Sequence, residues 1–181
     1  ALKDAGFGTF FVPQSTLGDL NGVLKSFDWA LGQSDIDLIG VSILTCPIAF
    51  EVNESEHGDG KRSDAYRMQR FLSRWKMFIE LKKAGLLTEH AIKRFHCLGM
   101  TDGPNEIELL MSAGFGQYIY SWDSSAAVWA GLNLIKFDRS PSGLVDGKFE
   151  KEVDFAMQKE VSLLSHNVTL TNINYINNLC S

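Results

Sequence analysis

The chain has 181 residues, of which 45% are hydrophobic and 22% are charged, and its formal net charge is -5. This size and composition are typical of a single globular domain and exclude a disordered or collagen-like chain. The acidic balance argues against a broadly basic nucleic-acid-binding surface, although a local patch can still bind phosphates, and no apolar run is long enough to span a membrane.

Cysteine usage indicates a reducing compartment. Cys46, Cys97 and Cys180 are odd in number and widely spaced, which argues against a disulfide framework. No secretion signal is visible, and no cysteine or histidine pattern has the spacing of a zinc site. We therefore expect a cytoplasmic protein with no metal, no other cofactor and no membrane partner.

Hydrophobic periodicity predicts four strand-then-helix units in a row. The predicted strands are rich in large apolar residues and cover 10–14, 36–44, 94–99 and 117–122. Each strand precedes a predicted helix, at 17–31, 64–84, 102–113 and 124–130. Ser15 or Thr16 is expected to cap the first helix, and a long polar loop is expected over 53–63.

The C-terminal region has a weaker pattern. Residues 149–165 predict another helix, and the Asn-rich tail from Asn172 predicts a poorly ordered end. We assign the βα units to residues 1–148 and place the helix and tail, 149–181, in the same domain.

Alternating strands and helices with short connections predict a parallel sheet with right-handed crossovers. The expected fold is α/β, with four consecutive βα units resembling half of a TIM (β/α)8 barrel. A small doubly wound sheet is the alternative. Because four strands leave two open sheet edges, we expect either a homodimer that covers them or an excerpt of a larger barrel.

Ligands of parallel α/β sheets bind at the carboxyl ends of the strands, so polar residues there are the candidate site. Asp123 follows the fourth strand, where an ionised carboxylate can attack an electrophilic sugar carbon, or can simply be the N-cap of the next helix. Gln14 can read a base edge through its amide, or bond its own turn. Gly40 indicates the close approach of a ligand or of another chain segment.

Three other features have a functional and a structural interpretation. Basic residues on or beside the long helix can follow phosphates, or form its solvated face; they are Arg62, Arg67, Arg70, Arg74, Lys76, Lys82 and Lys83. His57 with Glu54 and Glu56 has no established metal-ligand spacing. His96 is interpreted as a core or strand-end residue rather than a base.

The order of the strand ends resembles the tRNA-guanine transglycosylase (queuine tRNA-ribosyltransferase) family. That family has a strand ending in V-Q-G, a strand with I-G-G-L, then L-M-G-V-G followed by P-x-D-L-L, and a strand ending in F-D-C. The corresponding segments here are Phe11-Val12-Pro13-Gln14-Ser15, Leu38-Ile39-Gly40-Val41-Ser42, Cys97-Leu98-Gly99-Met100-Thr101 with Pro104-Asn105-Glu106-Ile107, and Tyr120-Ser121-Trp122-Asp123-Ser124. The last segment is most similar to the phage and bacterial branch that modifies DNA.

The resemblance implies that the chain is the C-terminal half of the barrel and takes part in a glycosyltransferase reaction. Asp123 matches the nucleophile that attacks the sugar C1′ and displaces guanine, after which a 7-deazaguanine base attacks the same carbon. Residues at or near the matched strand ends are expected to bind the substrate; they are Gln14, Gly40, Val41, Ser42, Gly99, Met100 and Ser121. The implied partner is nucleic acid, with DNA favoured over tRNA.

The chain also departs from the family pattern. The second catalytic aspartate belongs to the other half of the barrel, and the zinc motif of the tRNA enzymes is not present in the sequence. The glutamate that follows the I-G-G-L strand falls near Cys46, and Ser124 to Ala130 replace an arginine-containing segment. Two alternatives therefore stay open, a hydrolase or lyase that uses Asp123 and His96, and a non-enzymatic half-barrel that binds a partner through its edges.

Overall fold

Four short strands form one all-parallel sheet in the computed structural model, which describes residues 6–52, 64–99, 104–137 and 160–179. The strands are β1 (Phe10–Phe11), β2 (Leu38–Ser42), β3 (Phe95–Leu98) and β4 (Ile119–Trp122). The helices are α1 (Leu20–Gly32), α2 (Thr45–Ala49), α3 (Asp64–Lys83), α4 (Pro104–Ser112), α5 (Ala126–Leu132) and α6 (Leu163–Leu179). Short 3-10 turns at Glu89–Ala91 and Gly116–Tyr118 precede β3 and β4.

The strand order distinguishes the two predicted topologies. The order in the sheet is β1-β2-β3-β4, so each strand pairs with its neighbour in sequence. A doubly wound sheet reverses its strand order at a switch point, and no reversal occurs among these four strands. The prediction of an α/β fold with four consecutive parallel strands, as in half of a β/α barrel, is confirmed.

One face of the sheet is buried beneath aromatic side chains of the helices. Phe95 of β3 makes edge contacts with Phe27 of α1 and Phe78 of α3, at ring-centroid distances of 6.0 and 5.5 Å. Phe78 also stacks on Phe115, with centroids 5.3 Å apart. Burial of each such ring stabilises the fold by about 1.5 to 3 kcal/mol. Since strand residues alternate between faces, His96 lies on the opposite face from Phe95.

The chain divides into two compact units. The first consists of residues 1–99 and 114–123 and contains the sheet with α1, α2 and α3. The second consists of residues 100–113 and 124–181 and contains α4, α5 and α6. Its core includes Ala127, Ala130 and Phe137, against which Tyr175 and Ile176 pack.

Two predictions about the ends of α1 and β1 need correction. The N-cap of α1 is Asp19, not Ser15 or Thr16, and its Oδ1 accepts a hydrogen bond from the Gly22 N–H at 2.8 Å. Only the first two residues of the predicted strand 10–14 pair in the sheet, since Pro13 has no N–H to donate.

The predictions for the C-terminal region were largely wrong. Of the helix expected over 149–165, the described residues 160–162 are not helical, and α6 begins only at Leu163. The described part of the Asn-rich tail, 172–179, was expected to be poorly ordered but forms the C-terminal half of α6, in which Asn172 is completely buried. Tertiary hydrogen bonds outweigh the low helix propensity of asparagine in this segment. The predicted loop over 53–63 lies outside the described residues.

Within the described residues, no helix has both the length and the apolar character that crossing a membrane requires.

Candidate active site

A shift in strand register brings Ser121 beside His96 at the carboxyl ends of β3 and β4. Ile119 pairs with Phe95, but the next pair is Ser121 with His96, so Tyr120 is an extra residue in β4. Without the shift, Ile119 and Ser121 would share one face of the sheet, because they lie two residues apart. The shift leaves Ile119 buried and directs Ser121 to His96.

The imidazole of His96 bridges two side chains of the β4 segment. Its Nδ1 lies 2.8 Å from Ser121 Oγ, and its Nε2 lies 2.9 Å from Asp123 Oδ1. Phe10 contacts the ring edge-on at a centroid distance of 5.5 Å. The side chain of His96 is 18% exposed and that of Asp123 is 55% exposed, so the carboxylate lies at the open end of the cluster.

The turn after β3 supplies a second donor to the same carboxylate oxygen. The Gly99 N–H donates to Asp123 Oδ1 at 2.9 Å. Gly99 has a φ of +66°, and a Cβ there would lie 3.0 Å from Ile43 Cγ2, so both backbone conformation and space favour glycine. Within the described part of the chain, both side-chain hydrogen bonds of Asp123 therefore reach Oδ1 and neither reaches Oδ2.

A buried arginine holds this turn from the helix side. Arg74 of α3 is completely buried, and its Nη2 donates to the carbonyl oxygens of Leu98 and Gly99 at 2.9 and 2.5 Å. Its interpretation as part of a solvated or phosphate-binding helix face is therefore wrong. The Arg74 side chain ties the carboxyl end of β3 to α3 and so fixes the amide that binds Asp123.

Asp123 is not the N-cap of the following helix. The N-cap of α5 is Ser125, and the carboxylate of Asp123 bonds to His96 and Gly99 instead. An exposed carboxylate with one oxygen anchored by two N–H donors can act as a nucleophile or can orient a histidine base.

The other predicted binding residues differ in their surroundings. Gln14 is exposed, and its Nε2 donates to the Val12 carbonyl at 3.2 Å. This is the contact expected if the Gln14 amide bonds its own turn. Gly40 pairs with His96 across the sheet, and a Cβ there would lie 2.9 Å from both Phe10 and Val12. The close neighbours of Gly40 are thus side chains of the same sheet face.

Val41 and Ser42 are less accessible than Gln14. Val41 is completely buried in the core. Ser42 is 6% exposed, and its Oγ accepts a hydrogen bond from the Leu44 N–H at 3.1 Å at the beginning of α2. Met100 lies outside the described residues, as does the cluster of Glu54, Glu56 and His57. Among the described residues, no group of three histidine, cysteine, aspartate or glutamate side chains is arranged to hold a metal ion.

Sequence reasoning missed the position of Arg74, and it named His96 beside Asp123 only in the alternative of a hydrolase or lyase. In β3 the apolar residues Phe95 and Cys97 flank His96, and this alternation already predicts that His96 lies on the opposite face. Its contact with Asp123, however, depends on the register shift in β4, for which the sequence offers no marker. Comparisons of the chain with protein-family models, curated proteins and solved structures give no match.

Proposed function

We propose that this chain carries the nucleophile half of a base-exchange transglycosylase, with Asp123 as the attacking group. The observation that carries the proposal is the anchored carboxylate, whose Oδ1 is held by His96 and Gly99 while the side chain remains 55% exposed. The ends of parallel strands are where α/β enzymes bind their substrates. The order of the strand-end motifs supports the same chemistry.

The reaction proceeds by two displacements at one sugar carbon. Oδ2 of Asp123 attacks C1′, the bond from C1′ to guanine N9 breaks with its electron pair leaving on N9, and guanine takes a proton from solvent or from an acid. The product is a glycosyl ester of Asp123. The incoming 7-deazaguanine then attacks C1′ through its ring nitrogen, loses a proton and restores the carboxylate. No redox partner is needed, and the number of glycosidic bonds is conserved.

The proposed substrate is DNA rather than tRNA, in a cytoplasmic setting such as a phage-infected cell. The chain has no counterpart of the zinc motif of the tRNA enzymes. In this proposal Gln14 reads the base edge, and the segments around Gly40, Val41, Ser42, Gly99 and Met100 shape the base pocket. Ser121 contributes through its contact with His96.

The Asp123→Asn variant of the full natural protein tests the nucleophile. Asparagine keeps the shape of the side chain but cannot form the ester, so we expect incorporation of a radiolabelled 7-deazaguanine base into DNA to fall by about 1000-fold or more. The covalent protein–DNA adduct on a denaturing gel should disappear as well. A parallel assay with tRNA decides between the two nucleic acids.

Asp28→Asn is the matched control, because Asp28 is an exposed aspartate in the middle of α1. This variant should exchange bases at the wild-type rate. Wild-type exchange by the Asp123→Asn protein would exclude Asp123 as the nucleophile.

The contact of His96 with both Ser121 and Asp123 favours a second candidate, a hydrolase. In that case Asp123 orients the imidazole, and His96 takes the proton of Ser121 as the hydroxyl attacks an ester carbon. The ester hydrolysis of chromogenic substrates should then be abolished by Ser121→Ala, and no sugar adduct of Asp123 should form.

A further inference from the structure

We infer that Ser121 is a positioning residue for His96. Its hydroxyl orients the imidazole so that the Nε2–H donates to Asp123 Oδ1, and this leaves Oδ2 as the attacking oxygen. This inference rests on the proposed function, because it assigns the two oxygens of the same carboxylate to different tasks. The sequence predicts Ser121 as a substrate-binding residue, and the inference gives its hydroxyl a different task, the orientation of His96.

The hydrogen-bonding capacity of the three groups sets the direction of each bond. An ionised carboxylate only accepts, so the 2.9 Å contact with Asp123 Oδ1 places a proton on His96 Nε2. In a neutral imidazole Nδ1 is then an acceptor, and the Ser121 hydroxyl, 2.8 Å away, donates to it. The serine thus stabilises the tautomer that can donate to the aspartate.

The backbone makes this arrangement specific to Ser121. The extra residue Tyr120 directs Ser121 to the face of His96, and Asp123, two residues further on, extends to the same ring. The Asp123 N–H also donates to the Cys97 carbonyl at 3.3 Å, which keeps the β4 segment beside β3 up to the carboxylate. Phe10 contacts the ring from β1 and limits its rotation.

Two donors on Oδ1 have opposite effects on the two displacements. Both donors stabilise the negative charge of the carboxylate, so they do not make Asp123 a stronger nucleophile in the first displacement. They do orient Oδ2 for the attack on C1′. In the second displacement Asp123 is the leaving group, and the same donors stabilise the charge that returns to it. Loss of the His96 donor should therefore slow the departure of the carboxylate more than the formation of the ester.

The kinetic test compares Ser121→Ala and Ser121→Thr in the full natural protein. We expect Ser121→Ala to lower base exchange by about 5- to 10-fold, the rate equivalent of one hydrogen bond between neutral groups. The fraction of protein trapped as the covalent adduct should rise at the same time. Ser121→Thr keeps the hydroxyl and should exchange within about threefold of wild type, and Ser112→Ala, at an exposed serine of α4, should be unchanged.

Nitrogen-15 NMR of the His96 ring provides a readout that needs no activity. The wild-type ring should show a protonated Nε2 and an unprotonated Nδ1, and Ser121→Ala should show a mixture of tautomers. Unchanged tautomer and exchange rate in Ser121→Ala would overturn the inference and leave the nucleophile proposal intact. If wild-type protein exchanges no base, the proposed function fails, and the NMR comparison still decides whether Ser121 sets the tautomer of His96.

Discussion

Single residues within the strands and at their carboxyl ends carry both the packing and the proposed chemistry of this protein. Gly40 illustrates the packing, because the sequence predicts a close approach there but not what approaches. The neighbours are Phe10 and Val12, whose side-chain atoms would lie 2.9 Å from a Cβ at this position. Phe10 in turn contacts the ring of His96, so the absence of a side chain at Gly40 also protects the arrangement of the site.

Gly40→Ala should destabilise the protein. The added methyl group must displace Phe10 or Val12, and overpacking of this kind costs about 1 to 3 kcal/mol. The midpoint of urea unfolding measures the loss. Gly32→Ala is the control, since a Cβ at this last residue of α1 meets nothing within 4 Å and should leave the stability equal or slightly higher. Equal midpoints for the two variants would contradict this account of Gly40.

His96 and Asp123 show how far residue-level reasoning reaches. The position of Asp123 after an apolar strand identified it as a candidate nucleophile. From the sequence, a role as the N-cap of the following helix was an equally concrete interpretation. The contacts with His96 and the Gly99 amide decide against capping. These partners lie 27 and 24 residues away along the chain, so no local pattern reveals them.

Among the elements, α6 departs most from its prediction. Its sequence is rich in asparagine, which lowers intrinsic helix propensity. Asn172 is nevertheless completely buried, and it accepts a hydrogen bond from the Phe137 N–H at 2.7 Å and donates to the Ile135 carbonyl at 3.0 Å. A polar side chain thus ties α6 to the segment after α5.

Asn172→Ala should destabilise this helix. The substitution leaves the buried Phe137 N–H and the partly buried Ile135 carbonyl without their partner, which costs about 1 to 3 kcal/mol for the N–H and less for the carbonyl. Hydrogen exchange of the α6 amides should become correspondingly faster. Asn174→Ala, at an exposed position of the same helix, should leave exchange unchanged or slower, because alanine is the better helix former. Equal rates in the two variants would mean that the Asn172 bonds contribute nothing net.

At the scale of the whole molecule, the sheet order follows from the succession of βα units. Sequential parallel strands joined by right-handed crossovers lie side by side unless the chain reverses direction across the sheet. Long-range bonds support the order, since Arg94 at the beginning of β3 donates to the carbonyls of Leu31 and Ile36 at 2.9 and 2.6 Å. Its side chain ties the end of α1 and the approach to β2 to the third strand.

The amino-acid sequence was enough to predict the four strands, the helices that follow them, the parallel sheet and the strand-end position of Asp123. These features depend on local periodicity and on the rule that sites lie at carboxyl ends. The partners of the polar groups at the site became visible only in the folded chain. The tertiary structure placed Ser121 beside His96 through a register shift, buried Arg74 against the Gly99 turn, and ordered an asparagine-rich helix around Asn172. The physical reason is that each of these bonds joins residues more than 20 positions apart, where the free energy depends on packing rather than on propensity.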